Sequence, residues 1–301
     1  MGTPAQNGRP ALPPEKAPRR PLMIMVENHP DARPQTGLDK ADIVYEAPAE
    51  YGIPRFLAIY ITRDAKVVGP VRSTRTYYVA WAKEYDGLYL HAGGSPMGLS
   101  WIRQLKLDSI DALRYSSNAY WRDTSRVAPH NLYTNTTQLR KTIAKDKNLQ
   151  HHKGSWGGIH RSNKPTVGTA EGTEVKITYN NAYNVTYFYD AKSGVYKREM
   201  LDEPHKDRET KRQYTASAVV VQSISMWLIK GDEKGRIEAQ VQADKKPVLV
   251  FQNGRVIKGY WSKDKRDTPT EYTTRDGKPI LFKRGPIWIQ MVPVKGTKIE
   301  Y

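Results

Sequence analysis

The sequence predicts a mixed α+β fold in which an N-terminal α/β domain precedes a β-rich, mainly antiparallel C-terminal domain. Strand and helix patterns alternate as far as about residue 145, whereas strand patterns alone continue from residue 173 onward. Asn253-Gly254 and Asp276-Gly277 separate alternating runs and favour two-residue hairpin turns. A chain of 301 residues is long enough to bury a core in both parts.

Composition divides the chain into four regions. Residues 1–20 are rich in proline and predict a disordered tether, and residues 21–150 form the predicted α/β domain with a polar pocket. Residues 151–172 lack periodicity and predict a linker or crossover, which leaves residues 173–301 for the β-rich domain. The Met-Gly start runs directly into tether sequence, which indicates a removed export signal or, alternatively, a naturally flexible terminus.

The elements of the first part follow from local patterns. The runs LMIMVEN, ADIVYEA and RFLAIYITR predict three strands, and aromatic residues spaced four apart over 77–85 predict a helix. GLYLHA predicts a buried strand, after which Ser95 caps a helix that starts at Pro96. Asn135 or Thr136 opens a further helix. In the second part the predicted strands are VKITYNNAYNVTYFYD, SAVVVQSISMWLI, PVLVFQNGRVIKGYW, EYTTRDGKPILF and IWIQMVP.

The charge of the chain points to its partners. Lys and Arg number 48 against 31 Asp and Glu, which gives a formal charge of +17. This excess favours nucleic acid, an anionic lipid surface or an anionic envelope polymer as partner, with a solvated basic surface as the alternative. Nucleic acid ranks below an envelope polymer because no nucleic-acid-binding motif is present. The absence of cysteine excludes disulfides, cysteine nucleophiles and thiolate metal sites.

Polar residues follow the first predicted strand. Asn28, His29 and Arg33 stand where the ligand-contacting side chains of α/β sheets tend to gather. They are therefore candidates for the mouth of a pocket. The alternative is a turn-closing loop, since His29-Pro30 and Arg33-Pro34 are turn formers.

Three arginines predict an anion pocket near the first helix. Arg72 and Arg75 lie close to the helix start and Arg55 lies upstream, and guanidinium groups bind carboxylate or phosphate in a bidentate manner. The alternative is that these arginines form internal ion pairs. The carboxylates considered for such pairs are Asp42, Glu46 and Glu84.

The turn after GLYLHA offers a second set of candidates. Gly93 and Gly94 allow close backbone approach, and Ser95 with His91 suggests a nucleophile and its base. The nucleophile-elbow pattern needs glycine at position 97, which is Met97, and a capping serine uses its oxygen on helix amides. The turn therefore favours an anion-binding role over a nucleophile elbow.

A fourth group adds Arg122, His130 and Asn131. Together with the earlier candidates, it supplies enough positive and acid–base groups to bind an anion and to act on it. Neither a paired His motif at i, i+4 nor a carboxylate triad is present, so no metal site is predicted. His151, His152 and His160 form a loose group whose chelation is incidental.

The ordered motifs resemble a known family. RPLMIMVENHPDARPQTGLDKADIVYEAPAEYGIPRFLAIY, GPVRSTRTYY, YLHAGGSP and RVAPHNLY are similar to the N-terminal domain of the YerB-like bacterial lipoproteins, a family of unknown function. NVTYFYD, VYKRE, GYW and GPIWIQMVP resemble its companion C-terminal domain. The resemblance spans about residues 20–294. It implies an extracytoplasmic protein, anchored to the outer face of the cytoplasmic membrane through a lipidated cysteine that this sequence lacks.

These observations predict a cell-envelope protein that binds an anionic envelope polymer or a small anionic ligand, such as a glycan or a phosphate-bearing molecule, without a cofactor or metal. Two alternatives stay open: a hydrolase acting on a cell-wall or phosphoester bond, and a non-catalytic protein-interaction module. Whether the chain is an enzyme is undecided, and its candidate catalytic residues are His130, Glu46 and His91. The predicted ligand-binding residues are Asn28, Arg33, Arg55, Arg72, Arg75, His91, Gly93, Gly94, Ser95, Arg122, His130 and Asn131.

Overall fold

The computed structural model describes residues 17–114, 119–146, 149, 154–180 and 182–301. Its helices are α1 Thr76–Lys83, α2 Pro96–Gln104 and α3 Thr136–Lys145, with 3-10 turns at Pro30–Ala32 and Leu38–Lys40. Its strands are β1 Leu22–Glu27, β2 Ile43–Glu50, β3 Ile53–Tyr60, β4 Leu88–His91, β5 Ser109–Asp111, β6 Tyr120–Arg122, β7 Leu132–Thr134, β8 His160–Ser162, β9 Ala170–Glu171, β10 Glu174–Asn180, β11 Tyr183–Asp190, β12 Val195–Met200, β13 Glu203–Pro204, β14 Thr215–Ala216, β15 Ala218–Ile224, β16 Met226–Leu228, β17 Ile237–Ala239, β18 Ala243–Gln252, β19 Arg255–Lys263, β20 Glu271–Thr274, β21 Leu281–Lys283, β22 Ile287–Pro293 and β23 Lys298–Glu300.

One large mixed sheet contains strands from both halves of the chain. Its order is β20-β19-β18-β15-β22-β2-β3-β1-β4-β5, and β9 pairs with β19 as the eleventh strand. Strand β22 lies between β15 and β2 and runs parallel to both, with Ile289 opposite Tyr45. The β-rich mixed class is therefore confirmed. A separate N-terminal α/β domain stays a prediction, because the sheet continues through strands of the second half.

Each face of this sheet is covered by a different layer. On one face, α1 buries Tyr77 and Trp81 against sheet residues such as Tyr45 and Met25. On the other face, a six-stranded sheet of order β13-β12-β11-β10-β23, with β14 on β12, packs Tyr187 and Tyr196 into the second core. Removing such apolar area from water is the main favourable term in folding. Among the described residues, no helix combines the length and apolarity required to span a bilayer.

The predicted helix and turn signals are confirmed where they are local. Ser95 accepts a hydrogen bond from Gly98 N at 3.1 Å as the cap of α2, and Asn135 accepts one from Gln138 N at 3.0 Å as the cap of α3. Asn253-Gly254 joins β18 to β19, with positive φ at both residues. These residues act within a few positions of themselves, which is why the sequence alone predicts them.

The predicted tether and linker contact the fold where they are described. Residues 1–16 lie outside the described residues, but Arg20 is buried and forms an ion pair with Asp108. Within the predicted linker, residues 151–153 lie outside the described part, whereas Trp156 and Ile159 are buried in the first core. Residues 17–20 and 154–172 therefore belong to the packed structure.

Candidate functional site

The carboxyl ends of three parallel strands meet at one edge of the large sheet. Strand β1 ends at Glu27, β4 at His91 and β5 at Asp111, and β4 runs parallel to both of its neighbours. Strand β3 is antiparallel and places Arg55 opposite Glu27. Ligands of open α/β sheets bind outside the carboxyl ends of strands. We refer to this region as the carboxyl edge.

Glu27 is the centre of an ion cluster at the carboxyl edge. Its carboxylate is buried and lies 3.1 Å from Arg72 Nε through one oxygen and 3.0 Å from His130 Nδ1 through the other. The His29 ring stacks on His130 with centroids 4.6 Å apart, and Asp31 Oδ2 lies 3.9 Å from His130 Nε2. We call these five residues the Glu27 cluster. It unites three segments of the chain and includes three predicted candidates, His29, Arg72 and His130.

Backbone hydrogen bonds fix the positions of Arg72 and His130 in the cluster. Arg72 N donates to Met25 O and Arg72 O accepts from Ala92 N, so Arg72 lies between the ends of β1 and β4. Val71 N donates to Leu132 O, which brings the turn at His130 alongside. Both residues are predicted site residues, but no local pattern in the sequence indicates that Glu27 joins them.

Arg55 and Arg75 share a different carboxylate from those considered in the sequence analysis. Both guanidinium groups form ion pairs with Glu50, and the Arg75 Nη2 to Glu50 Oε2 distance is 2.6 Å. Arg55 Nη1 also donates to both Ser73 oxygens at 3.1 Å. Burial lowers the pKa of Arg75, with Arg55 as a further cause. The two arginines thus order the start of α1 from inside the fold.

The carboxylates expected as arginine partners have other contacts. Asp42 accepts hydrogen bonds from Ile61 N and Thr62 N, at 2.7 and 2.8 Å. Glu84 pairs with Lys263 at 2.7 Å in a fully buried contact. Glu46, a candidate general base, is fully buried and pairs with Arg198 at 2.9 Å. A substrate at the surface has no access to the Glu46 carboxylate in this arrangement.

The glycine turn after β4 is held by internal contacts. Gly93 N donates to Asp111 Oδ1 at 2.7 Å, and His91 Nδ1 lies 2.9 Å from Gly93 O. Burial lowers the pKa of His91, and the Gly93 carbonyl and Asp111 offset part of this effect. Within the described part of the chain, His91 Nε2 has no hydrogen-bond partner. Ser95 uses its hydroxyl oxygen to cap α2, and no contact joins it to His91 in the described residues.

Arg122 and Asn131 form the outer rim of the carboxyl edge. Arg122 is exposed, and its Nη1 donates to Asn131 Oδ1 at 2.7 Å. Asn131 is buried and its Nδ2 donates to the carbonyls of Asp123 and Arg126. Asn131 therefore orients Arg122, whose remaining donors face solvent.

Beneath the edge lies a polar network whose central residue, Arg198, is not among the predicted site residues. Arg198 and Glu46 are fully buried, and Arg198 Nη1 donates to Tyr187 OH at 2.6 Å. Burial alone lowers the pKa of Arg198, but the Glu46 carboxylate outweighs it and raises that pKa above its usual value. Tyr183 OH accepts from Asn28 Nδ2 at 2.7 Å and donates to Glu46.

Two predicted site residues, Asn28 and Arg33, belong to this network. Asn28 is fully buried, and Arg33 Nε donates to its side-chain oxygen at 3.1 Å. The Arg33 guanidinium also lies 5.5 Å from the centre of the Tyr183 ring, and burial lowers the pKa of Arg33. The only sequence signal for the network is that β11 and β12 carry polar side chains at inward positions, which is costly unless those groups pair.

His205 extends the network to Gln35. Its Nδ1 accepts from Arg198 Nε at 2.9 Å, so the neutral ring donates through Nε2 to Gln35 Oε1 at 2.8 Å. Burial holds the pKa of His205 well below its usual value, and the charges of Arg198 and Arg33 lower it further. The ring is therefore neutral in the folded chain.

This lowered pKa predicts a loss of stability in mild acid. Below about pH 6.5 His205 becomes protonated in the unfolded chain but not in the folded chain. The free energy of unfolding therefore decreases by up to about 1.4 kcal/mol per pH unit. His205→Gln keeps an acceptor and a donor without titrating. Urea unfolding at pH 7.5, 6.0 and 5.0 should show a shallower pH slope for the variant, and equal slopes would contradict the assignment.

One group at the edge has the composition of a metal site. His29, Asp31 and His130 each offer a ligand atom, and these atoms all lie within 4.8 Å of one another. His29 and His130 are 101 positions apart in the chain, which is why their spacing in sequence gave no metal motif. His151 and His152 lie outside the described residues.

Comparison with known proteins identifies the relatives of this chain. Residues 7–150 match the N-terminal domain of a protein family of unknown function, DUF3048, and residues 175–289 match its C-terminal domain. "Putative lipoprotein YerB" of Bacillus subtilis (strain 168) is 34% identical over 279 residues, which cover 91% of this chain and 82% of that protein. The crystal structure of YerB from Bacillus subtilis superposes with a TM-score of 0.80 at 32% identity and covers 94% of each chain.

Proposed function

Since this chain belongs to the DUF3048 family, as its resemblance to YerB-like lipoproteins indicated, we propose that it is an extracytoplasmic lipoprotein that binds an anionic ligand at the carboxyl edge. The family has no described activity, so the proposal comes from the side chains. The ligand class is a glycan or phosphate-bearing molecule of the cell envelope. Anchoring to the outer face of the cytoplasmic membrane is part of the proposal, because the relative bears the name of a lipoprotein.

The guanidinium group of Arg72 carries this proposal. Its Nε faces Glu27, but among the described residues no partner occupies Nη1 or Nη2, and a quarter of the side chain is exposed. The other oxygen of Glu27 contacts His130 Nδ1, so the Glu27 carboxylate does not occupy the remaining donors of Arg72. A planar fork with open donors is suited to bidentate contact with phosphate or carboxylate oxygens.

Arg122 provides a second cation on a neighbouring segment of the chain. Strand β6 pairs Arg122 with Leu132 of β7, and Leu132 O accepts from Val71 N, so the chain segments bearing Arg122, His130 and Arg72 are adjacent. Arg55, Arg75 and Arg33 support this rim through internal contacts. The net charge of +17 attracts anions toward it over longer distances.

We expect Arg72→Gln to weaken the binding of anionic probes by about tenfold or more, since a hydrogen bond to a charged group contributes roughly 1.5–3 kcal/mol. Calorimetric titration with glucose 1-phosphate and with a poly(glycerol phosphate) would measure this. The control is Arg103→Gln, which removes the same charge from the exposed end of α2. Equal losses in both variants would identify a diffuse charge effect and contradict a site at Arg72.

The interaction-module alternative is favoured by a separate surface. A groove of about 840 Å³ lies beside the β2–β3 turn and is lined by Tyr51, Leu228, Ile229 and Pro293, among other residues. Tyr51 is 67% exposed and Leu228 is 64% exposed. Exposed apolar patches on a protein surface often mark protein-interaction sites. If no anionic probe binds in an Arg72-dependent manner, this groove becomes the better candidate for function.

A further inference from the structure

We propose that His29, Asp31 and His130 form a binding site for a divalent transition-metal ion of the zinc class. Asp31 Oδ2 lies 3.5 Å from His29 Nδ1 and 3.9 Å from His130 Nε2. Ligand atoms of a tetrahedral zinc ion at about 2.0–2.2 Å from the metal stand roughly 3.3–3.5 Å apart. All three ligand atoms lie within 4.8 Å of one another, and the His29 and His130 rings are stacked with an interplanar angle of 17°. Because a metal ion lies in the plane of each imidazole that binds it, the His29 ring, which is 36% exposed, has to rotate out of this stack when the ion binds.

His29 contributes its Nδ1 atom to the proposed site. His29 Nδ1 accepts a hydrogen bond from Asp31 N at 3.3 Å, as the cap of the 3-10 turn Pro30–Ala32. A metal ion at His29 would use this same lone pair and would replace the hydrogen bond from Asp31 N. The turn also fixes His29 and Asp31 two positions apart on one side of the chain.

Glu27 orients the second histidine and is an independent sign of a metal site. Its buried carboxylate lies 3.0 Å from His130 Nδ1, so the neutral ring donates from Nδ1 and has its lone pair on Nε2, the atom that faces Asp31. Histidine ligands of metals generally donate their other ring N–H to a carboxylate in this way. Arg72 contacts the other Glu27 oxygen and holds the carboxylate in place.

The donor set decides the class of metal. Two imidazole nitrogens and one carboxylate oxygen suit Zn²⁺ and related transition metals, whereas Mg²⁺ and Ca²⁺ prefer oxygen ligands alone. Three protein ligands leave one coordination position of a tetrahedral ion for water or another ligand. The guanidinium groups of Arg72 and Arg126 lie nearby, and their charge lowers the affinity for a cation. The site does not depend on the proposed anion binding, with which it shares His130.

The test is calorimetric titration of the full, untagged chain with Zn²⁺ at pH 7.5. We expect one Zn²⁺ per chain in the wild type, and an affinity at least tenfold lower in His29→Ala and in Asp31→Ala. Both side chains are at least one-third exposed, so these variants should fold normally, as circular dichroism would verify. Excess Mg²⁺ should not displace the bound Zn²⁺.

Two further variants make the outcome decisive. Replacing His151 and His152 together by alanine should leave Zn²⁺ binding unchanged, because these residues are not among the proposed ligands. Glu27→Gln should weaken it by about 10–100-fold, as expected for the partner of a ligating histidine. Binding that survives His29→Ala and Asp31→Ala but disappears in the His151 and His152 variant would overturn the proposal, as would the absence of saturable binding.

Discussion

Replacing Arg198 by methionine is expected to lower the free energy of unfolding by about 3–5 kcal/mol, because it leaves the Glu46 carboxylate buried without its cation. Both side chains are completely shielded from solvent. The substitution also removes the hydrogen bonds to Tyr187 and His205 and the contact with the Trp288 ring, whose centre lies 4.5 Å from the guanidinium carbon. No other arginine in the described residues is as deeply buried.

Equilibrium unfolding in urea would measure the change, with Arg212→Met as the matched control. Arg212 pairs with Asp39, but 64% of its side chain is exposed, so its loss should cost less than about 1 kcal/mol. Combining Arg198→Met with Glu46→Leu should recover part of the stability, since neither charge then remains buried alone. If Arg198→Met and Arg212→Met destabilise the chain equally, the buried pair does not have the role assigned to it.

A fragment of residues 1–172 is expected not to fold cooperatively. In the full chain β22 pairs with β2 through a parallel ladder that includes Val44 opposite Trp288, and the fragment leaves that edge of β2 open. The fragment also lacks Arg198, the ion-pair partner of Glu46, and it lacks the six-stranded sheet that contributes to the second core. Near-ultraviolet circular dichroism and urea unfolding should show no fixed aromatic packing and no sharp transition.

The control distinguishes the effect of losing the second-half strands from the effect of cutting the chain. A protease site inserted at the exposed residues Asn163 and Lys164 would be cut after the full chain has folded. The cut chain should retain its unfolding transition, because all strands remain in place. A fragment of residues 1–172 that unfolds as sharply as the cut chain would show that the first half folds alone and would contradict the expectation.

The sequence predicts the parts of this fold that depend on near neighbours. Ser95 and Asn135 begin helices, and Asn253-Gly254 makes a hairpin, because each acts through hydrogen bonds or dihedral angles within a few residues. The position of β22 beside β2 depends instead on pairing between residues more than two hundred positions apart, and no local pattern encodes it.

The candidate functional site shows the same contrast between local sequence signals and long-range contacts. The candidate arginines and histidines were recognised by residue type, but their partners lie far away in the chain: His130 is 103 positions from Glu27, and Arg75 is 25 positions from Glu50. A basic sequence does not reveal which cations are neutralised internally. Tertiary contacts separate Arg72, which keeps open donors, from Arg55 and Arg75, which share Glu50.

The two outermost strands of the large sheet, β5 and β20, affect how the protein behaves at high concentration. At one end β5 has three residues, and Asp111 turns the chain by accepting hydrogen bonds from Gly93 N and Leu113 N. At the other end β20 has four residues, and its outer side meets Pro279, which lacks an amide hydrogen. Short, charged or proline-blocked edges offer few free backbone groups to a neighbouring molecule. Crowded copies of the chain are thereby protected from edge-to-edge aggregation despite a sheet of eleven strands.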